Sequence, residues 1–510
     1  MKRDFLIIIF IFAVVIQCLS QTKDNLRDLT ILHWNDFHAH NLPYQVTKKD
    51  SAGNKITYYV GGTSSMLGYL KNLRDDKSLV LNAGDEYQGS PICSITKGFS
   101  QIPLLNLYKL DAFVLGNHDF DYGVTLLDSA LKQANFVVLS ANLYDVSKQS
   151  LAAEPYTIKE LNSIKVGIIG ISPEELSTLT LPQNIENIRI LNTDSVVAVA
   201  IEELKKQHCN LIVLLSHNGV ERDSIYAVKF HRDIDVIIGG HSHSTLYKPK
   251  IVDGVIICQA GYYGRFLGKL DLKVDIEKDT VANYFEKLYE TAFDSSIYDK
   301  DAQYLVENMV KQIEPEMERV IGSIDKDLNK TTIGLWQAEI IKERVKSDIG
   351  FLNSGGIRGN IKKGDIKVKD IWEINPFDNT IVVVTVKGNL LKQMMENYLR
   401  KIQTGDSRLS NDNLLVSGVY VEYSSQKLNQ NVDFIEKFLV NGTPLDENIS
   451  YTIATNNYVA SQTEKYFSLT PEQIKIEDTN IIMRDYILEY IEQQKNLKFV
   501  YKNRIVDLSK

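Results

Sequence analysis

From residue 29 to about residue 272, short apolar runs alternate with stretches whose apolar positions recur at helical spacing, the pattern of an α/β or mixed sandwich. The runs at 29–34, 78–82, 112–115, 137–140, 165–171, 211–216, 236–238 and 255–259 are short and mostly aliphatic, so they predict buried strands. Segments between them, among them 125–134 and 194–207, predict helices. Over 299–321 the pattern changes to a charged, helix-compatible stretch carrying Gln303, Glu307, Lys311, Glu314, Glu316, Glu318 and Arg319. It reads as an interdomain helix whose regular part Pro315 kinks or ends. Fresh apolar runs at 349–352, 380–386, 418–423 and 451–454 mark a second folding unit.

A chain of 510 residues is too long for one ordinary core. The expected division is a signal peptide at 1–20, a first domain at 27–295, a linker helix at 296–320 and a second, smaller domain at 321–510. Met1-Lys2-Arg3, an apolar run over 5–16 and then Cys18-Leu19-Ser20 follow the charged, apolar, small-residue order of a secretory leader. That apolar run is short for a membrane span, and Gln17 is a poor neighbour for lipid attachment at Cys18, so cleavage near Ser20 is preferred. The mature chain is therefore expected to be exported, as a periplasmic, cell-surface or secreted protein with no transmembrane segment.

Export changes the reading of the cysteines. Cys93, Cys209 and Cys258 are too few, and odd in number, for a disulfide framework. Cys209 and Cys258 lie in or beside strand-like runs and read as buried thiols. The C-terminal residues 505–510 carry no hydrophobic tail of the kind that directs a lipid anchor. With 44% hydrophobic and 24% charged residues the composition is that of a folded protein. A net charge of −8 argues against a broad basic surface for a nucleic-acid polymer, so any phosphate must be held locally, by metals or a few arginines.

Acidic and imidazole side chains recur just after the predicted strands of the first half. Asp36 and His38 follow 29–34, Asp85 follows 78–82, and Asn117, His118 and Asp121 follow 112–115. His217 follows 211–216, and His241 and His243 follow 236–238. Strand ends that deliver ligands to one edge of a sheet build an open site. These oxygen and imidazole donors include no thiolate, which suits Zn, Mn, Fe, Co or similar ions with open positions rather than a closed structural zinc site. A carboxylate such as Asp85 is able to bridge two cations that clamp a phosphoryl group and activate water. His118 is the candidate acid or electrostatic stabiliser, with Asp121, three residues on, as its orienter. His33, His40, His208 and His231 lack this context and read as structural or surface residues.

The motifs Asp36-x-His38, Gly84-Asp85-x-x-Gln88-Gly89, Gly116-Asn117-His118-Asp119, Ser216-His217 and Gly239-Gly240-His241-Ser242-His243 resemble, in order and spacing, those of calcineurin-like metallophosphoesterases in the 5'-nucleotidase branch. The resemblance implies a four-layer α/β/β/α metallophosphoesterase domain followed by a smaller α/β substrate-binding domain. It also implies two divalent ions, such as Zn, Mn or Co. Asp36, His38, Asp85 and His243 would hold one, and Asp85, Asn117, His217 and His241 the other. Asn353-Ser354-Gly355-Gly356-Ile357-Arg358 is similar to the loop whose Asn and Arg grip substrate, and Pro376-Phe377 to the segment whose Phe stacks on the base. Tyr458 would be the second stacking face. Relatives usually follow that aromatic with Gly-Gly-Asp; here the corresponding stretch runs from Asn457 to Tyr466, without the Gly-Gly and with Glu464 in place of Asp.

The expected activity is hydrolysis of phosphate monoesters, nucleoside 5'-monophosphates above all, by hydroxide activated between two metals with His118 and Asp121 assisting. Hydrolysis of 2',3'-cyclic nucleotides, UDP-sugars or a sulfur ester on the same fold is the nearest rival. A non-catalytic nucleotide-binding surface protein is the rival from another class.

Overall fold

Side-chain alternation decides the layers. In the strand Leu26–Trp34, Leu29 and Ile31 point to one face and Leu32 and Trp34 to the other, and both faces are buried. The computed structural model describes residues 25–509 except 50–52, 181, 378, 407–408, 410–411, 431, 471–472 and 500–503. The leader read over residues 1–20, with Cys18, lies outside the described residues.

One six-stranded sheet has the order Thr280–Glu290, Phe266–Asp275, Leu26–Trp34, Ser78–Asn82, Ala112–Val114, Val137–Leu139. Its last four strands run parallel, and the hairpin formed by the first two joins them antiparallel. A second six-stranded sheet has the order Lys250–Val252, Val255–Cys258, Val236–Gly239, Leu211–Ser216, Ile164–Ile171, Tyr156–Leu161, with parallel strands in the middle and an antiparallel strand at each edge.

The sheets face each other across an aliphatic core that includes Leu29, Ile31 and Leu81 of the first and Val166, Val213 and Ile238 of the second. Helices Thr63–Leu73, Gln101–Tyr108 and Val124–Leu131 cover the outer face of the first sheet through Met66, Leu105 and Ala130. Helices Thr193–Lys206 and Val220–Phe230 cover the second through Val197, Leu204 and Tyr226. The unit is thus a four-layer α/β/β/α domain. Each Leu or Val fully buried there contributes roughly 1.5–3 kcal/mol. The loops after Leu26–Trp34, Ser78–Asn82 and Ala112–Val114 begin in buried residues, so the side chains that follow those strands are fixed by the core.

The chain divides into two units at Gln312/Ile313, inside the helix Lys300–Met317. That helix is shorter than the stretch 299–321 suggests: it ends two residues after Pro315, and Val320–Ile324, with its β-branched residues, is a strand. The second unit is built on a five-stranded sheet of order Leu414–Ser417, Ile349–Asn353, Ser450–Asn456, Thr380–Lys387, Lys475–Ile482. Helix Gly388–Gln403 packs Leu391, Met395 and Tyr398 into one of its cores. Helices Lys330–Arg344 and Met483–Gln494 pack Trp336, Ile340 and Ile487 into another. Among the described residues no helix is long and apolar enough to cross a membrane.

Candidate metal centre

The loop after Leu26–Trp34 lies against the loop after Ser78–Asn82. Asp36 N donates to Gly84 O, His38 N to Asp85 O and Ala39 N to Glu86 O, each at 2.9 Å. Left-handed backbone recurs here: Asp36, His38 and Asp85 take φ values of 50°, 49° and 58°, and His241 and His243, in the loop after Val236–Gly239, take 75° and 53°. Left-handed backbone at non-glycine residues is strained, and its concentration at these side chains marks a site that the surrounding core holds in place. Gly116 permits the closest approach, since a Cβ there would lie 2.2 Å from Asp85 Oδ1.

Two groups of donors result. One ligand atom from each of Asp36, His38 and His243 falls within 4.8 Å of the others, and the same holds for Asp85, His217 and His241. Asp85 Oδ2 lies 3.0 Å from His217 Nε2 and 3.9 Å from His38 Nε2, so it faces both groups. Asn117 Oδ1 meets His241 Nδ1 at 3.0 Å. His217 donates Nδ1–H to Ala83 O at 2.6 Å, which turns the lone pair of Nε2 toward the Asp85 carboxylate. His38 Nε2 and His243 Nε2 likewise face each other at 3.0 Å. Acceptor against acceptor repels unless a proton or a cation lies between them, so the donor set fits divalent metal.

The electrostatics agree. Burial opposes the charge on Asp36 and Asp85, yet neighbouring histidines, His243 and His217 for Asp36 and His217 and His118 for Asp85, hold both carboxyls below their usual range. Burial also opposes a charged His217, but the Asp85 and Asp36 carboxylates outweigh it and hold the ring up at about 9, so Nε2 carries a proton at pH 7 unless a cation takes the proton's place and leaves the lone pair to ligate. His38 and His241, where burial dominates, fall to about 3 and about 4 and are neutral donors at pH 7.

His118 stands at the rim. Its side chain is 32% exposed, its Nδ1 lies 2.8 Å from Asp121 Oδ2, and its backbone N–H donates to Asp85 Oδ1 at 2.9 Å.

The residues expected to contact substrate lie in the second unit. Asn353, Arg358, Phe377 and Tyr458 line one cavity of about 360 Å³, together with Asn379 and Asp412. The Arg358 guanidinium sits 5.1 Å from the centre of the Phe377 ring.

Family descriptions match both units: calcineurin-like phosphoesterase over residues 29–245, and 5'-nucleotidase, C-terminal domain, over 313–470. A snake venom 5'-nucleotidase of Gloydius brevicauda is 30% identical over 90% of this chain and 86% of its own. The chain belongs to the 5'-nucleotidase family. It is accordingly a metal-dependent phosphoric ester hydrolase. The solved 5'-nucleotidase precursor of Thermus thermophilus is 26% identical and superimposes with a TM-score of 0.63, covering 95% of this chain and 100% of that one. A trifunctional nucleotide phosphoesterase of Bacillus subtilis is 27% identical over 93% of this chain, which spans about a third (34%) of that longer protein.

Within this family member, several residues at the site had no role in the sequence reading. Asp119 accepts four backbone N–H groups, from Asp85, Glu86, Tyr87 and Gly116, at 2.8–3.2 Å, and so staples the loop that carries Asp85. Its place in Gly116-Asn117-His118-Asp119 was the available signal. Glu86, which burial lifts to about 8, takes Trp34 Nε1–H at 2.9 Å beneath the same loop. Asn35 ties Gly261 O, at 2.6 Å, to the Asp36 loop. In the second unit Asp412 takes hydrogen bonds from Asn353 Nδ2, Gly355 N and Tyr466 OH and pairs with Lys465, which fixes the glycine loop of the cavity. Nothing in the sequence near Asp412 indicates this. Of the remaining histidines, His40 stacks on Tyr263 at 3.7 Å, His208 and His231 are exposed, and His33 is wholly buried.

Proposed function

We propose that the protein is an exported hydrolase of nucleoside 5'-monophosphates that works with two divalent cations. Asp36, His38, Asp85 and His243 would hold one, and Asp85, Asn117, His217 and His241 the other. The observation that carries this reading is the pair of donor groups that meet at Asp85. Cations bound there supply Lewis-acid polarisation of the phosphoryl group and a water nucleophile at neutral pH. Asp119, through the backbone it holds, keeps Asp85 aimed between the two groups. His118, with Nδ1 committed to Asp121, presents Nε2 to the leaving oxygen and donates the proton that departs with it.

Arg358 and Asn353 give polar contacts to the substrate, and Phe377 and Tyr458 give two aromatic faces for a base. Replacing Phe377 by Ala is expected to raise KM for a nucleoside monophosphate about 10-fold while leaving the turnover of a small phosphate ester unchanged. An equal loss on both substrates would remove the stacking role.

The reading is tested by phosphate release from a panel of nucleotides after chelation and re-addition of individual metals. Release from 5'-monophosphates should vanish with chelation and return with zinc, manganese or cobalt. Faster turnover of 2',3'-cyclic nucleotides or UDP-sugars would move the substrate class, as the altered stretch at Gln462-Thr463-Glu464 allows. A metal-loaded protein that binds nucleotides and releases no phosphate would be the non-catalytic binder.

A further inference from the structure

The alternation that sorts side chains between layers also puts three polar groups where the sandwich is otherwise aliphatic. His33 lies two residues after Ile31 and faces the space between the sheets. Glu286 pairs across the ladder with Leu270, whose side chain occupies that space, so Glu286 shares its face. Cys258 enters from the opposite sheet, two residues beyond Ile256. The side chains of His33 and Glu286 are 0% and 1% exposed, and Cys258 is 1% exposed. One ligand atom from each of the three lies within 4.8 Å of the other two.

We propose that His33, Cys258 and Glu286 form a zinc site of their own in the inter-sheet core, separate from the centre around Asp85. The donor types are those zinc selects: thiolate, imidazole and carboxylate. Glu286 Oε1 meets His33 Nε2 at 3.1 Å, while Oε2 is buried with no hydrogen-bond partner among the described residues. Without a cation the carboxyl has, besides His33, only the weak S–H donor of Cys258, whose pKa burial and Glu286 hold well up, and Oε2 stays unsatisfied. A carboxylate bound through both oxygens leaves neither unsatisfied, and with one ring nitrogen and the sulfur it completes four donor atoms, the number a closed structural zinc takes. Charge points the same way, because one thiolate and one carboxylate neutralise a dication, and no net charge remains in a core of Leu, Ile and Val.

Room for the imidazole is set by its partner across the ladder. Gly268 pairs with His33, and a Cβ there would lie 2.2 Å from Nε2. Zinc at this point ties Leu26–Trp34 and Thr280–Glu290 of one sheet to Val255–Cys258 of the other. It would steady the two loops that start from those strands, which Asn35 joins through Ala260 N and Gly261 O.

The test is spectroscopic and needs no activity. Full-length protein is stripped of metal and reloaded with Co²⁺, and the near-ultraviolet thiolate-to-cobalt charge-transfer band is recorded. The donors around Asp85 contain no sulfur, so they produce no such band. The band is expected in the native protein and in D85A, and it should be lost in C258V together with one equivalent of bound cobalt. A folded, cobalt-loaded native protein without the band would overturn the site, and so would C258V with the band unchanged. Should C258V fail to fold, C93A and C209A take its place: both should keep the band, and its loss in either would overturn the site. Phosphate release is read separately, so the catalytic centre and this site stand or fall independently.

Discussion

Replacing Asp85 by Ala is expected to lower kcat/KM for a nucleoside 5'-monophosphate by about 10⁴-fold, roughly 5 kcal/mol of transition-state stabilisation. Asp85 faces both donor groups: Oδ2 lies 3.0 Å from His217 Nε2 and 3.9 Å from His38 Nε2. Asp36 Oδ1 also lies near both, 3.4 Å from His243 Nε2 and 3.8 Å from His217 Nε2, but Asp85 makes the closer approach to His217. Losing it removes a charge that each group uses and leaves His217 without the carboxylate that its Nε2 faces. Metal content should therefore fall with activity, measured on one sample by elemental analysis and phosphate release, with circular dichroism confirming the fold. Asp85→Asn keeps the shape without the charge and should retain more metal than Asp85→Ala. Native metal content and native rates in D85A together would sink the bridging role.

The centre was legible because parallel strands buried on both faces read as uninterrupted apolar runs, and each run ends where its ligand begins. Ser78–Asn82 and Leu211–Ser216 stand where those runs placed them, and Asp85 and His217 follow. Edge elements were harder. Tyr44–Lys49 pairs with Lys55–Val60 as an exposed hairpin rich in Lys and Tyr, and Thr280–Glu290 buries few of its residues, so neither stands out as an apolar run. The interdomain helix lost its last turn because Pro315 and the β-branched Val320 and Ile321 outweigh the charged pattern. Roles that consist of accepting backbone N–H groups are hinted at only where a motif happens to contain the residue, as for Asp119 and not for Asp412. Asp119 and Asp412 carry the same carboxylate as Asp36, yet only tertiary structure separates a loop staple from a ligand. His33 showed the converse: a histidine without a strand-end context still faces Glu286 in the core.

His118→Ala should leave metal content unchanged and lower kcat by roughly 10²–10⁴-fold for nucleoside monophosphates. On the proposed reading the imidazole transfers a proton and is not a ligand. Its side chain is 32% exposed at the rim while Asp36 and Asp85 are buried, and Asp121 holds Nδ1 at 2.8 Å. A nucleoside is a poor leaving group and departs only as its oxygen is protonated, whereas a nitrophenolate leaves without help. The loss in H118A should therefore shrink by at least about 10-fold on p-nitrophenyl phosphate, a difference that mere loosening of the site would not produce. Asp121→Asn, which keeps the hydrogen bond but not the charge that favours imidazolium, should fall between the native enzyme and H118A on nucleotides and near the native rate on the aryl ester. If H118A lost the same factor on both substrates, His118 would be a stabiliser of phosphoryl charge and not the acid; if it lost metal, it would belong to the ligand set instead.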